Sequence, residues 1–372
     1  MLYLAIDQHR KQLTVNERDE EGNVLLRRQV STRWKAVRMY FEELQARSRE
    51  HGGFVVILEV CGFNDWLLQM LRDYGARDIV LLQPEERDRQ KTDRRDANRL
   101  GELLWVNRRR LLAGLRVQGM RRVAIASGQE HDDRQLTSLR WRIGQHLTRT
   151  LNGVRHLLRR HNLEQEGPTK GIKTKAARKW LRELPLAALD RLEMDHLLER
   201  WELLEQQRAT LDERIRQRQS HDEAAAILAT IPGAGAFTSL ALATRVGDVD
   251  RFPRPRSLAN YWGLTPGCRN SGETKKRLGA ITKCGSALAR FLLGQLTLHV
   301  LRKDPVLRSW YKGVKRRRGS KTARVAVMRR LATIIWHLLK RKEPYVNGGP
   351  RRPHGEVVPP AKEPCTAGVS QE

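Results

Sequence analysis

At 372 residues the chain is longer than one hydrophobic core usually serves, and 40% hydrophobic content supplies enough apolar side chains for two or three packed units. Seventy-one Lys and Arg against 42 Asp and Glu leave a formal net charge of +29, which argues against cationic partners and for phosphate-bearing ones. Ribosome-like or membrane-surface binding competes on charge alone, but no apolar run approaches the ~18 residues of a membrane helix.

Residues 2–7 read as a buried strand, followed by strand-like stretches from Gln12 to Glu17 and from Val24 to Val30, with turn chemistry at Glu20 to Asn23 between them. Helix-spaced apolar positions (Trp34, Val37, Tyr40, Phe41, Leu44) predict a helix over 32–50. A continuous apolar strand from Phe54 to Val60, a helix over 63–74 and a strand from Ile79 to Leu82 follow. Three antiparallel strands, then helix, strand, helix, strand is the order of a ribonuclease-H-like fold. Leu2 to Ile6 is too short for a signal-peptide core, and Cys61, Cys268, Cys284 and Cys365 have no zinc-ligand spacing. They read as free thiols, and a soluble, cytoplasmic protein is expected.

From about residue 108 to 222 long charged helices take over. Leu197, Trp201, Leu204, Leu211 and Ile215 follow three/four spacing, and a helix over 134–160 offers Leu136, Ile143, Leu147, Val154 and Leu158, with Gly167-Pro168 as the break. This is either a helical hairpin within the chain or a dimerisation arm. A third unit opens near Ala224; Ile231-Pro232-Gly233-Ala234-Gly235 is a glycine-bearing turn whose amides suit phosphate. A loop over 263–279 follows, then a helix from Ser286 to about Arg302 and one from Ser320 to about Lys342, with Val325, Met328, Leu331, Ile335 and Leu338 on its buried face. Residues 302–342 hold fifteen Lys or Arg and one acid, Asp304, the composition of a phosphate-contacting surface. From Pro344 the composition predicts disorder.

Four carboxylates carry the chemistry. Asp7 stands on the first strand, Glu59 at the end of the fourth, and Asp93 with Asp96 one helical turn apart, on one helix face. In a ribonuclease-H-like sheet the first and fourth strands are neighbours, so these groups can converge. Together they would repel unless neutralised; two Mg²⁺ ions roughly 4 Å apart, or Mn²⁺ in their place, would do so and clamp the attacking and leaving oxygens of a phosphoryl transfer. The plainer alternative pairs Asp93 and Asp96 with Lys91, Arg94 or Arg95 on an exposed helix. His9 lies two residues after Asp7 and stays outside the catalytic set, structural histidines being commoner. Aromatic residues are only 6% of the chain, so base stacking is not expected to dominate recognition.

Ala5-Ile6-Asp7-Gln8-His9-Arg10, Glu59-Val60-Cys61-Gly62 and Lys91-Thr92-Asp93-Arg94-Arg95-Asp96-Ala97 resemble the three acidic motifs of the DEDD-type insertion-sequence transposases, the Piv-like recombinases guided by a bridge RNA. Ile231 to Gly235, Leu258 to Pro266, Asn270-Ser271-Gly272 and Ile281 to Gly285 resemble that family's C-terminal blocks, in order from Asp7 to about Tyr345. Gln8 and Arg10 replace the common Val and Lys of the first motif, and Asn270 the first Ser of Ser-Ser-Gly. The resemblance implies an α/β plus α architecture in four parts. These are a RuvC-like nuclease domain over 1–107, a coiled-coil dimerisation region over 108–222, a mainly helical transposase domain with a helix-hairpin-helix-like element over 223–343, and a disordered tail over 344–372.

It also implies dimers pairing into tetramers, a composite site, and a serine nucleophile, by position Ser271, that stores the cut end as a phosphoserine ester. DNA and a guide RNA would be the partners of this bacterial or archaeal recombinase. Its phosphate contacts would come from Lys275, Lys276, Arg277, Lys283, Lys315, Arg316, Arg317, Arg318 and Lys321, with sequence reading left to the guide. A hydrolytic nuclease of branched DNA, needing no residue at Ser271, and an inactive nucleic-acid-binding protein are the competing readings.

Overall fold

The computed structural model describes residues 1–83, 93–115, 117, 120–126, 128–268 and 278–349. The chain divides into two compact units, 1–125 and 126–372.

In the first unit β1 (Leu2–Gln8), β2 (Gln12–Arg18) and β3 (Val24–Ser31) form an antiparallel meander; helix α1 (Trp34–Glu50) leads to β4 (Phe54–Glu59), and α2 (Asp65–Asp73) to β5 (Ala76–Leu82). The sheet order is β3-β2-β1-β4-β5, with β1, β4 and β5 mutually parallel. Both faces are covered, and the strand period of two sorts the side chains. Leu2, Leu4, Ile6, Val56 and Leu58 pack with Val37, Tyr40, Phe41 and Leu67 of α1 and α2. Tyr3, Ala5, Val55, Ile57 and Val80 pack with Leu100, Leu104 and Leu111 of α3 (Asp93–Leu112). That two-sided burial is why β1 and β4 read as continuous apolar runs rather than alternating ones.

Polar pins fix the helices on the sheet. Glu17, fully buried, accepts from Tyr40 Oη at 2.9 Å and from Arg47 Nη2 at 2.8 Å, which ties α1 to β2. Asn16 donates to Asn98 Oδ1 at 2.8 Å and Arg18 pairs with Glu102 at 2.7 Å, tying α3 to the same strand. A Cβ on Gly101 would come within 2.5 Å of Asn16 Oδ1, so only glycine lets α3 approach this closely.

The second unit opens with α4 (Gly128–Arg160) and α6 (Ala188–Ser220), which pair with each other in antiparallel fashion. Leu147, Leu151, Val154 and Leu158 meet Met194, Leu198, Trp201 and Leu204. Ion pairs Arg140–Asp212 at 2.8 Å and Arg218–Asp133 at 3.0 Å fix the register. The two helices thus form a hairpin within the chain, with α4 covering the α6 seam. Leu211, placed on that seam from spacing, is only half-buried, whereas Met194 and Leu198, which the spacing did not place there, are buried nearer the start of α6. Helix α5 (Lys175–Glu183), unforeseen in the sequence, starts on a Thr174 cap and lays Arg178 over the Trp201 ring at 4.3 Å.

Beyond the hairpin come α7 (Glu223–Ala229), α8 (Ala236–Val246), α9 (Pro255–Tyr261), β6 (Pro266–Cys268), β7 (Leu278–Ile281), α10 (Ala287–Lys303) and α11 (Pro305–Arg341). Gly235 stands at the N-cap of α8, as the glycine-bearing turn predicts. Leu240, Trp262, Leu292, Leu296, Leu331 and Ile335 share the core. Three expectations need correction. The stretch 263–279, read as a loop, holds the paired ends of β6 and β7. The helix expected from Ser320 follows a break at Gly319, whose φ of 78° is non-helical, with a further helical stretch preceding that break from Pro305 on an Asp304 cap. Its buried face is centred on Val327, Leu331, Ile335 and Leu338, while Val325 and Met328 are only half-buried. Residues 344–349, read as the start of a disordered tail, instead turn back on the core: buried Asp304 accepts from Tyr345 Oη at 2.5 Å and from the Gly348 amide at 2.6 Å. Burial works against the Asp304 charge, but these donors win and hold its pKa below the usual carboxylate value.

Candidate active site and nucleic-acid surface

Strand register brings two of the four acids together. Parallel β1 and β4 pair through Ile6 and Leu58, and the next residues along are Asp7 and Glu59. Ile6 and Leu58 belong to the face under α1 and α2, so alternation turns Asp7 and Glu59 to the opposite face, the one α3 covers. Helix α3 runs from this end of the strands, where Ala97 and Asn98 border Thr14, to the other end, where Trp105 Nε1 bonds the Glu20 carbonyl at 3.1 Å. Asp96, in its first turn and half-buried, therefore belongs to the end of the sheet that carries Asp7 and Glu59. The Asp93 side chain lies outside the described residues.

Two features of this end were not read from sequence. His9 Nε2 contacts Asp7 Oδ2 at 2.9 Å, so the histidine left out of the site touches its first carboxylate. Buried Gln8 and Asn64 form a clamp between the two acid-bearing strands. Asn64 Nδ2 donates to Gln8 Oε1 at 2.8 Å and to the Glu59 carbonyl at 3.1 Å, Asn64 Oδ1 accepts from the Cys61 amide at 2.6 Å, and Gln8 Nε2 donates to the Phe63 carbonyl at 3.0 Å. Asn64 is the N-cap of α2, yet its side chain makes no capping bond. It forgoes a contact typically worth ~1 kcal/mol and turns instead to the strand ends. Burial raises the pKa of the nearby Cys61 thiol, and the charges of Asp7 and Asp65 add to that.

Carboxylate oxygens are the donors a hard divalent cation takes, and the acids supplied here suit Mg²⁺ or Mn²⁺ in kind. Among the described residues no three His, Cys, Asp or Glu side chains are grouped as a metal site. Any such site would call on Asp93 as well.

Ser271, with Lys275, Lys276 and Arg277, falls outside the described residues, between β6 and β7. The base of that segment is tightly built. Thr282 N bonds Thr265 O at 3.0 Å and Lys283 N bonds Gly263 O at 3.1 Å; Arg290 Nη1 donates to the carbonyls of Cys284 at 2.7 Å and Trp262 at 3.2 Å. Gly263 and Gly285 both have positive φ, and a Cβ on either would strike backbone, at 2.3 Å from Cys284 O and 2.1 Å from Tyr261 O respectively.

Residues 225–312, which include this base, match the family described as Transposase_20, Transposase IS116/IS110/IS902 family. The transposase for insertion sequence element IS1111A of Coxiella burnetii is 29% identical over 310 residues, covering 78% of this chain and 79% of the relative. A probable family 20 transposase of Pseudomonas aeruginosa is 25% identical over 93% of this chain and 98% of its own. The chain is thus similar to transposases of the IS110/IS116 type, in residues 225–312 by family and along most of its length by relatives. A pilin gene-inverting protein of Moraxella bovis is 29% identical over 123 residues, 32% of this chain and 38% of that one.

The chain carries its densest positive charge on α11. Lys315, Arg316, Arg317, Arg318 and Lys321 flank the Gly319 break and are all exposed, as is Lys283 at the foot of β7. The break matters because one straight helix would spread these side chains around its axis, whereas an extended residue between two helical stretches re-aims the second. Among the described residues no helix is long and apolar enough to cross a membrane.

Proposed function

We propose that this transposase cuts and rejoins DNA through a phosphoserine ester, with Asp7, Glu59, Asp93 and Asp96 holding divalent metal, Ser271 as nucleophile and a bridge RNA choosing the sites. The observation that carries the reading is the placement of Asp7 and Glu59 on neighbouring strand ends, on the face whose covering helix begins with Asp93 and Asp96. Bound Mg²⁺ would neutralise charge developing on the phosphoryl oxygens.

The protein supplies the rest. Ser271 Oγ forms a bond to phosphorus as the bond to the departing deoxyribose oxygen breaks; the serine proton goes to a base and the departing oxygen takes one up. The hydroxyl of an incoming strand then attacks the same phosphorus and expels Ser271, so rejoining needs no added energy source. His9, bonded to Asp7, would fix that carboxylate's orientation. The pilin gene-inverting relative, named for an inversion, supports a recombinase over a simple nuclease. Assembly as dimers and tetramers, DNA and guide RNA as partners, and phosphate contact by Lys283 and the α11 cations belong to the same proposal.

The test incubates protein and its flanking RNA with labelled donor and target DNA plus Mg²⁺, comparing wild type with Ser271→Ala and Asp93→Asn. A protein–DNA adduct lost in the first and weakened in the second is expected. If Ser271→Ala cuts as well as wild type and no adduct forms, the enzyme is a hydrolytic nuclease acting through water.

A further inference from the structure

The acids at the strand ends belong to a longer row. Asp7 is directly opposite Thr14 on β2, and Thr14 is directly opposite Gln29 on β3, so Gln29, Thr14, Asp7 and Glu59 line up across four adjacent strands on the α3 face. Beside the acids, this row opens into a groove of about 390 Å³ lined by Thr14, Arg27, Gln29, Ala97 and Asn98, together with Val15 and Arg28. The volume lies within the range that holds small ligands, ~300–1,000 Å³. Arg28 bonds Glu43 at 2.8 Å, which makes Arg27 the groove's cationic contact in this reading.

Thr14 is the telling residue. It is 4% exposed, and its Oγ1 has no hydrogen-bond partner. A buried hydroxyl without a partner costs stability that Val, of the same shape, would not. It sits where the groove meets the Asp7 strand, one strand spacing of ~4.8 Å away. A nucleic-acid strand whose scissile phosphate met Asp7 and Glu59 would lay its adjacent nucleotide here.

We propose that this groove is a subsite for the phosphodiester backbone next to the cut, with Thr14 Oγ1 donating to a phosphate oxygen, Arg27 supplying positive charge and Gln29 an amide donor. It deepens the strand-cleavage reading above and rests on it for the direction of the strand, but not for the binding itself.

The test measures fluorescence anisotropy of a labelled short single DNA strand, and of an RNA of the same sequence, with full-length protein in EDTA, so that no cleavage intervenes. Thr14→Val is expected to weaken binding by about tenfold while its melting temperature stays level or rises. Arg27→Gln is expected to weaken binding similarly and to flatten the salt dependence by about one phosphate contact. Single methylphosphonates scanned along the strand should locate one position that matters in wild type and falls silent in Arg27→Gln. Whichever of DNA and RNA loses more on Thr14→Val is the occupant. Wild-type affinity in both variants, or a loss in Thr14→Val that follows a lower melting temperature, overturns the subsite. A wild type that binds through Thr14 and Arg27 yet never cuts DNA with Mg²⁺ leaves the subsite standing and sinks the proposed chemistry instead.

Discussion

At the scale of single residues, the acids of the proposed site stand beside neighbours whose chemistry is spent on position. Gln8 and Asn64 stand 56 residues apart in sequence, and their bond exists only because β1 and β4 lie side by side. Nothing in the local sequence of either residue announces it, which is why the neighbouring placement of Asp7 and Glu59 could be expected from the strand order and the clamp between them could not. The clamp can be separated from the fold by substitution. Asn64→Ser supplies a side chain able to cap α2 but leaves Gln8 Oε1 with only the weak Cys61 thiol donor at 3.5 Å, a net loss of about 1–2 kcal/mol in thermal or denaturant unfolding. Adding Gln8→Met removes the other partner of that bond and should restore only part of the stability, since the Phe63 carbonyl then loses its Gln8 donor and the Cys61 amide still lacks Asn64 Oδ1. Strand cleavage should remain about 10–100-fold down in both variants, because Glu59 has lost the tie on its backbone. Cleavage that returns together with stability would show that the clamp serves only the fold.

At the scale of elements, the first unit was readable almost strand by strand, because each stretch combined an apolar run with clear turn residues. The strand order followed from fold analogy, and with it the pairing of Asp7 with Glu59. The second unit was harder for physical reasons. The capping signal of Asp304 and Pro305 was hidden in a run of cations, and α5 contributes only Ala177 and Leu181 to the buried face. The pairing of β6 and β7 depends on two glycines whose use shows only in three dimensions. Gly263 packs on Cys284, and Gly285 on Tyr261, so each strand of the base is closed by the other's backbone. Gly285→Ala should therefore cost about 2–4 kcal/mol, combining a positive φ with a clash against a carbonyl that has no room to move. Circular dichroism melts would show that loss, and the adduct proposed to form at Ser271 should fall further than folded protein does. Ala tolerated at 285 without change in either measurement would mean that the base is not what places the serine segment.

At the scale of the whole molecule, the charge of +29 is a physical statement about partners, and its distribution makes that statement testable. A surface cation of no function would be offset by nearby acids, as Arg140 is by Asp212 and Arg218 by Asp133 in the α4–α6 hairpin. Around the Gly319 break the five cations Lys315, Arg316, Arg317, Arg318 and Lys321 have no acid in their sequence neighbourhood, because Asp304 and Glu343 are the nearest in either direction and Asp304 is buried. Each cation that meets a phosphate releases condensed counterions, so the slope of log affinity against log salt should steepen by about 0.9 per contact on duplex DNA and about 0.7 on a single strand. Replacing the five with Gln should flatten the duplex slope by about 4.5 if each meets a phosphate, and weaken binding uniformly across sequences, since backbone contacts carry no base information. The melting temperature should hold or rise as like charges are removed from one surface. Comparing duplex DNA with structured RNA separates the partners: the substrate whose slope flattens more is the one this helix grips. An unchanged slope on both would mean that the densest positive charge of the chain faces something other than nucleic acid.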